Sequence, residues 1–230
     1  MNDLVRNRET VLAQIRAAET ACGRSGTTLI AVGKTFPAAD IRTLYAAGQR
    51  DFGENYIQEW AAKTEELADL PDMVWHIIGD VQSNKTRLVA EKAHWLHTLS
   101  RLKTAERLSA QRPPHLPPLN VCIEVNIGGE TAKHGVPPEE ALPLALAAQK
   151  LPQIEVRGLM CVAKTGSTHE ALLQQFSHMQ TLLAGFQTAG LPADVLSMGM
   201  SADLAEAVAC GATHVRIGSA IFGGRPAPAV

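Results

Sequence analysis

Three groups of residues in this chain carry side chains able to do chemistry. The first centres on Lys34, which follows the apolar run Leu29-Ile30-Ala31-Val32-Gly33 and precedes Thr35-Phe36-Pro37. Such a run reads as a buried strand too short to be a helix, and the proline ends the extended segment. A lysine at the mouth of that strand loses hydration. Desolvation favours its neutral amine, the form that attacks a carbonyl to make a Schiff base. The alternative is an ordinary lysine that reaches out into water. The second group is Ser197-Met198-Gly199-Met200-Ser201, in which Gly199 permits close backbone approach and Ser201 is placed to open a helix with free N–H groups. The third is Arg216-Ile217-Gly218-Ser219-Ala220-Ile221-Phe222-Gly223, which supplies a cation, a glycine, a hydroxyl and one short helical turn. Taken singly, Ser201 is an N-cap, Gly199 and Gly218 are turn residues, and Arg216 is a surface ion-pair partner.

The elements that must position these groups alternate along the whole chain. Leu4, Arg8, Val11, Ile15 and Ala18 share one helical face, and Gly23 stops that helix. After the strand of Lys34 come a helix over Ala39 to Ala47, a strand at Asp51-Phe52-Gly53, and a helix over Ile57 to Leu70 closed by Pro71. Met73 to Ile78 is a strand, followed by a helix over Asn84 to Lys92 with Ser83 or Asn84 as its N-cap. Trp95 to Thr98, Val121 to Val125, Ile154 to Leu159, Val195 to Ser197 and Thr213 to Ile217 complete eight strand signals separated by helices. Eight such units in 230 residues imply an α/β fold, a single (β/α)8 TIM-type barrel with an extra N-terminal helix. An open doubly wound sheet would show a G-x-G-x-x-G turn, which is lacking. The barrel is expected over residues 1–225, with Pro226-Ala227-Pro228-Ala229-Val230 as a flexible tail.

In a barrel the loops after the strand C-termini collect at one face, and those after strands seven and eight often bind phosphate. Ser201, Gly218, Ser219 and Arg216 fall in those two loops, and Lys34 faces them from the end of strand one. A phosphate site opposite a desolvated lysine points to pyridoxal 5'-phosphate (PLP), whose aldehyde a lysine holds and whose phosphate the protein anchors. Asn55, after strand two, is placed for the ring hydroxyl side or for capping the next helix.

With Phe52-Gly53-Glu54-Asn55-Tyr56, Trp75-His76-Ile77-Ile78-Gly79, Gln82-Ser83-Asn84-Lys85, Val125-Asn126-Ile127 and Arg157-Gly158-Leu159-Met160 added to these segments, the chain resembles the PLP homeostasis proteins over nearly its whole length. The resemblance implies a barrel like the N-terminal domain of alanine racemase, with PLP held as a Schiff base on Lys34. It further implies Ser201, Gly218 and Ser219 at the phosphate, Arg216 nearby and Asn55 at the ring. Three departures stand out. Gly33 takes a position that is often serine, Ser219 one that is often threonine, and the prolines and alanines at the end replace a lysine-rich tail.

A carrier is the first functional expectation: a cytoplasmic, monomeric, non-catalytic binder that buffers or delivers PLP and touches PLP enzymes transiently. The alternative is a single-domain racemase-type enzyme or a cofactor-free Schiff-base aldolase using His76, Glu54 or Lys133 as acid or base. A net charge of −2 with 19% charged residues gives no nucleic-acid or membrane surface. No run approaches a membrane span, and Met1-Asn2-Asp3-Leu4 begins no signal peptide. Cys22, Cys122, Cys161 and Cys210 lie far apart without zinc spacing, so reduced thiols and no metal are expected.

Overall fold

Short β-rich segments, each too short to bury both faces alone, close on one another through the amphipathic helices between them. In the computed structural model, which describes residues 2–130 and 134–224, the strands are β1 (Thr28–Val32), β2 (Asp51–Glu54), β3 (Val74–Ile77), β4 (Trp95–Leu99), β5 (Leu119–Glu124), β6 (Ile154–Met160), β7 (Val195–Ser197) and β8 (His214–Ile217). They form a closed barrel in sequence order, and β1 pairs in parallel with both β2 and β8. The (β/α)8 expectation holds.

The helices are α1 (Asp3–Cys22), α2 (Ala38–Ala46), α3 (Ile57–Glu66), α4 (Thr86–Lys92), α5 (Leu102–Gln111), α6 (Pro138–Ala148), α7 (His169–Thr188), α8 (Leu204–Ala209) and α9 (Ser219–Phe222). The extra N-terminal helix is α1. Its Asn2 side chain caps the first turn and Gly23 ends it at φ 68°, where a glycine meets no steric cost. Val11 and Ile15 bury its inner face, and Asn7 Nδ2 donates to Ile221 O at 3.0 Å, tying it to α9.

Most of the buried apolar side chains form one cluster between strands and helices, from Leu29 and Ala31 of β1 to Val215 and Ile217 of β8. Residues two apart on a strand share a face, so the alternate positions point inside the barrel. Those interior positions are unusually polar, with His76, His97, Ser197 and Arg216 all buried. Cys122, Met160 and Val195 form a separate small apolar cluster.

Two helix starts differ from expectation. Helix α4 begins at Thr86 with Lys85 at the cap position and no side-chain cap, and Thr86 Oγ1 instead donates to Ser83 O at 3.0 Å. Helix α8 begins only at Leu204, so Ser201 does not open it. The expected tail over 226–230 lies outside the described residues. Among the described residues no helix is long and apolar enough to cross a membrane, and no group of three or more His, Cys, Asp or Glu could hold a metal. All four cysteines are free thiols, and burial pushes Cys122 and Cys161 up to about 12, so neither is a ready thiolate.

Candidate functional site

A cavity of about 530 Å³ opens among the loops that follow the strand C-termini, and Lys34, Asn55, Ser201, Arg216, Gly218 and Ser219 all line it. Val32, Ile78 and Met160 supply apolar wall. The structure therefore brings together every residue that the sequence assigned to the site.

Lys34 sits half-buried one residue beyond Gly33 and just before a backbone outlier, Thr35, at φ 67°. A β-branched residue there is strained by roughly 1–3 kcal/mol and persists only where its surroundings over-determine it. Here they do. Thr35 N donates to Glu59 Oε1 at 2.7 Å, and Phe36 stacks on Phe222 of α9 at 5.0 Å between ring centroids. Behind the loop, the buried Lys63 ammonium donates to Gly33 O at 2.8 Å, Glu54 Oε1 at 2.7 Å and Glu59 Oε1 at 2.6 Å. Burial raises Glu54 to about 7, against the opposing pull of Lys63.

On the facing wall, Asp203 Oδ1 accepts from Met200 N at 2.6 Å and fixes the turn ahead of α8. Ser201 stays in that turn, exposed toward the cavity. Gly199 has φ 98°, and a Cβ there would lie 2.7 Å from Ala207 Cβ, so the turn packs onto α8 only as glycine. Gly218 precedes α9, whose first N–H groups lack partners within the helix.

Arg216 is not a surface ion-pair partner. It is 5% exposed, and its guanidinium donates to Ser197 Oγ and to Cys161 O, each at 2.8 Å, from the cavity floor. Asn55 does not cap α3, where Tyr56 holds the cap position without a side-chain bond. Its Oδ1 is buried with no partner among the described residues. A buried acceptor left without a donor is costly, so its place in the cavity wall fits a ligand that donates to it.

The acid–base candidates fare differently. His76 and Glu54 are fully buried and neither lines the cavity, while Lys133 lies outside the described residues. Sequence reasoning missed the group around Arg216. His76 Nδ1 and His97 Nε2 are 2.9 Å apart, and His97 Nδ1 and Ser197 Oγ are 2.8 Å apart. The available signal was a polar residue directly after an apolar one on each of four short strands: His76, His97, Ser197 and Arg216.

The family profile of alanine racemase, N-terminal domain, matches residues 7–226. A PLP homeostasis protein of Pseudomonas aeruginosa is 50% identical over 227 residues, covering 98% of this chain and 97% of that one. The chain belongs to the PLP homeostasis protein family. PipY of Synechococcus elongatus, solved with PLP bound, superimposes with a TM-score of 0.84 at 36% identity over 96% of this chain and 100% of PipY. An alanine racemase of Clostridium difficile shares the fold at TM-score 0.78 but only 16% identity, and this chain spans 58% of it. The close relatives carry the name of homeostasis proteins and not of enzymes.

Proposed function

We propose that this chain holds PLP on Lys34 and acts as a non-catalytic carrier in the cytoplasm, buffering or delivering the cofactor with effects on amino-acid and keto-acid metabolism. The observation that carries this reading is the single cavity that joins Lys34 to Ser201, Gly218 and Ser219. When bound, PLP supplies an aldehyde that condenses with the Lys34 amine, forming a carbon–nitrogen double bond and releasing water. The chain's own residues do the rest. Ser201, Ser219 and the amides after Gly218 take the phosphate, Arg216 gives the floor a fixed positive charge, and Asn55 receives a ring-side donor. The binding unit is the barrel over 1–225, working as a monomer that meets PLP enzymes transiently.

The alternative, a racemase-type enzyme or an aldolase, has less support. His76 and Glu54 stand behind the cavity wall, so neither reaches a ligand as acid or base. An open cavity also fails to exclude water from a reacting centre.

Absorption spectroscopy tests the reading. The purified protein, mixed with PLP and desalted, is expected to stay yellow, and Lys34→Ala to emerge colourless. A wild-type protein that takes up no PLP would overturn the carrier assignment. Turnover of an amino acid, lost in Lys34→Ala, would establish the enzyme instead.

A further inference from the structure

A continuous hydrogen-bonded chain crosses the barrel interior from the cavity floor to the opposite mouth. Arg216 Nη1 lies 2.8 Å from Ser197 Oγ, and Ser197 Oγ 2.8 Å from His97 Nδ1. His97 Nε2 is 2.9 Å from His76 Nδ1, and His76 Nε2 is 3.0 Å from Asp51 Oδ1. Asp51 is the first residue of β2 and so belongs to the N-terminal mouth, with 29% of its side chain exposed.

With both rings neutral, the Asp51 carboxylate fixes the direction of every link. A guanidinium only donates and a carboxylate only accepts. Ser197 must therefore accept from Arg216 and give its own O–H to His97 Nδ1. That leaves the His97 proton on Nε2, where it serves His76 Nδ1, and the His76 proton on Nε2, where it serves Asp51. Both rings are neutral in this arrangement, which agrees with their complete burial. With both rings neutral and Asp51 a carboxylate, no other assignment satisfies all the links. His214 and Trp95 pack their rings against the two histidines, but His214 Nδ1 is engaged by Thr213 Oγ1 at 2.9 Å and is not a link.

We propose that His76, His97 and Ser197 are positioning residues that lock the Arg216 guanidinium in the cavity floor and join its charge to Asp51 at the far end of the barrel. The chain polarises and does not conduct, because onward proton flow would require the guanidinium to surrender a proton. Its consequence for ligand retention rests on the PLP reading above; the direction of the hydrogen bonds does not.

Nitrogen-15 NMR of the histidine-labelled, ligand-free protein reads the chain directly. Both His76 and His97 are expected as neutral rings protonated on Nε2 at pH 7. A proton on Nδ1 of either ring, or a doubly protonated ring, would overturn the proposal whether or not PLP binds. Retention is then read from the rate at which PLP leaves the loaded protein. Ser197→Ala, which removes one charge-assisted bond, is expected to speed release about tenfold. Asp51→Asn keeps an acceptor and removes the charge; it should speed release about two- to fivefold and shift the ring nitrogens of both histidines. His214→Gln should leave release unchanged. Wild-type release rates in both Ser197→Ala and Asp51→Asn would defeat the positioning role even with the expected tautomers in place.

Discussion

Lys63 and Glu54 form an ion pair at 2.7 Å with both side chains buried, and the same ammonium holds the carbonyl of Gly33, the residue before Lys34. A buried pair is weak evidence of net stability, but removing one partner strands the other charge. Lys63→Met is therefore expected to lower unfolding stability by about 3–5 kcal/mol, whereas Lys63→Met combined with Glu54→Leu should recover most of that loss. Urea denaturation at pH 7.5 measures both. An unchanged midpoint in the single variant would mean that the pair does not hold the loop.

Stability against pH separates two opposing sets of groups. Burial raises folded Glu54 to about 7 from 4.5, so between those values the unfolded chain ionises first and stability falls as pH rises. The full cost, about 3 kcal/mol, is present above pH 7. Folded His214 is lowered to about 4, and His76 and His97 are lowered too, all through burial. Below 6.5 the unfolded chain binds their protons and the folded one does not, so stability is lost as pH falls from about 6.5 toward 4. Three histidines outweigh one glutamate, so the wild type is expected to weaken in acid. Glu54→Gln deletes the opposing slope and should show a steeper acid loss. Thermal unfolding from pH 4.5 to 7.5 tests this, and parallel curves for the two proteins would refute the Glu54 assignment.

Much of this arrangement was legible in the sequence, for a physical reason. Barrel strands such as Leu29 to Val32 are short, apolar and punctuated by Gly or Pro, so each β/α unit announces itself locally. The order of eight such units then leaves few topologies, and the C-terminal loops follow from the fold. Position within an element was harder. Ser201 looks like an N-cap in sequence, yet the cap position falls two residues on, at Asp203, whose carboxylate is bonded back to Met200 N. Arg216 looks like a surface cation until the closure of β8 against β1 turns it inward. The pairing of the interior chain was not legible because its links join residues as far apart as His97 and Ser197, which only barrel closure brings together.

Ser219 offers a clean test of where the phosphate sits. Its side chain is exposed at the start of α9 and lines the cavity without supporting the core. Ser219→Ala is expected to leave the melting temperature of the ligand-free protein within a degree or so, since exposed substitutions rarely cost more than about 0.5 kcal/mol. Release of PLP should quicken about tenfold through loss of one bond to a charged group. Unaltered release would place the phosphate elsewhere.

Gly199 couples the stability of the fold to the shape of the site. Its φ of 98° disfavours any side chain, and a Cβ would sit 2.7 Å from Ala207 Cβ and 3.2 Å from Val215 Cγ1. Gly190 has a similar φ of 84° with nothing within 4 Å of its added Cβ, so it carries the backbone strain without the clash. Gly190→Ala is expected to cost about 1–2 kcal/mol and to leave PLP retention intact. Gly199→Ala adds overpacking of about 1–3 kcal/mol. It should also weaken retention, because Gly199 O accepts the Arg216 amide at 3.0 Å and the turn carries Ser201. Denaturant midpoints and PLP release rates for the two variants decide the matter. Equal losses at both glycines, with retention unchanged, would mean that α8 yields to the new methyl group and that the turn does not depend on this packing.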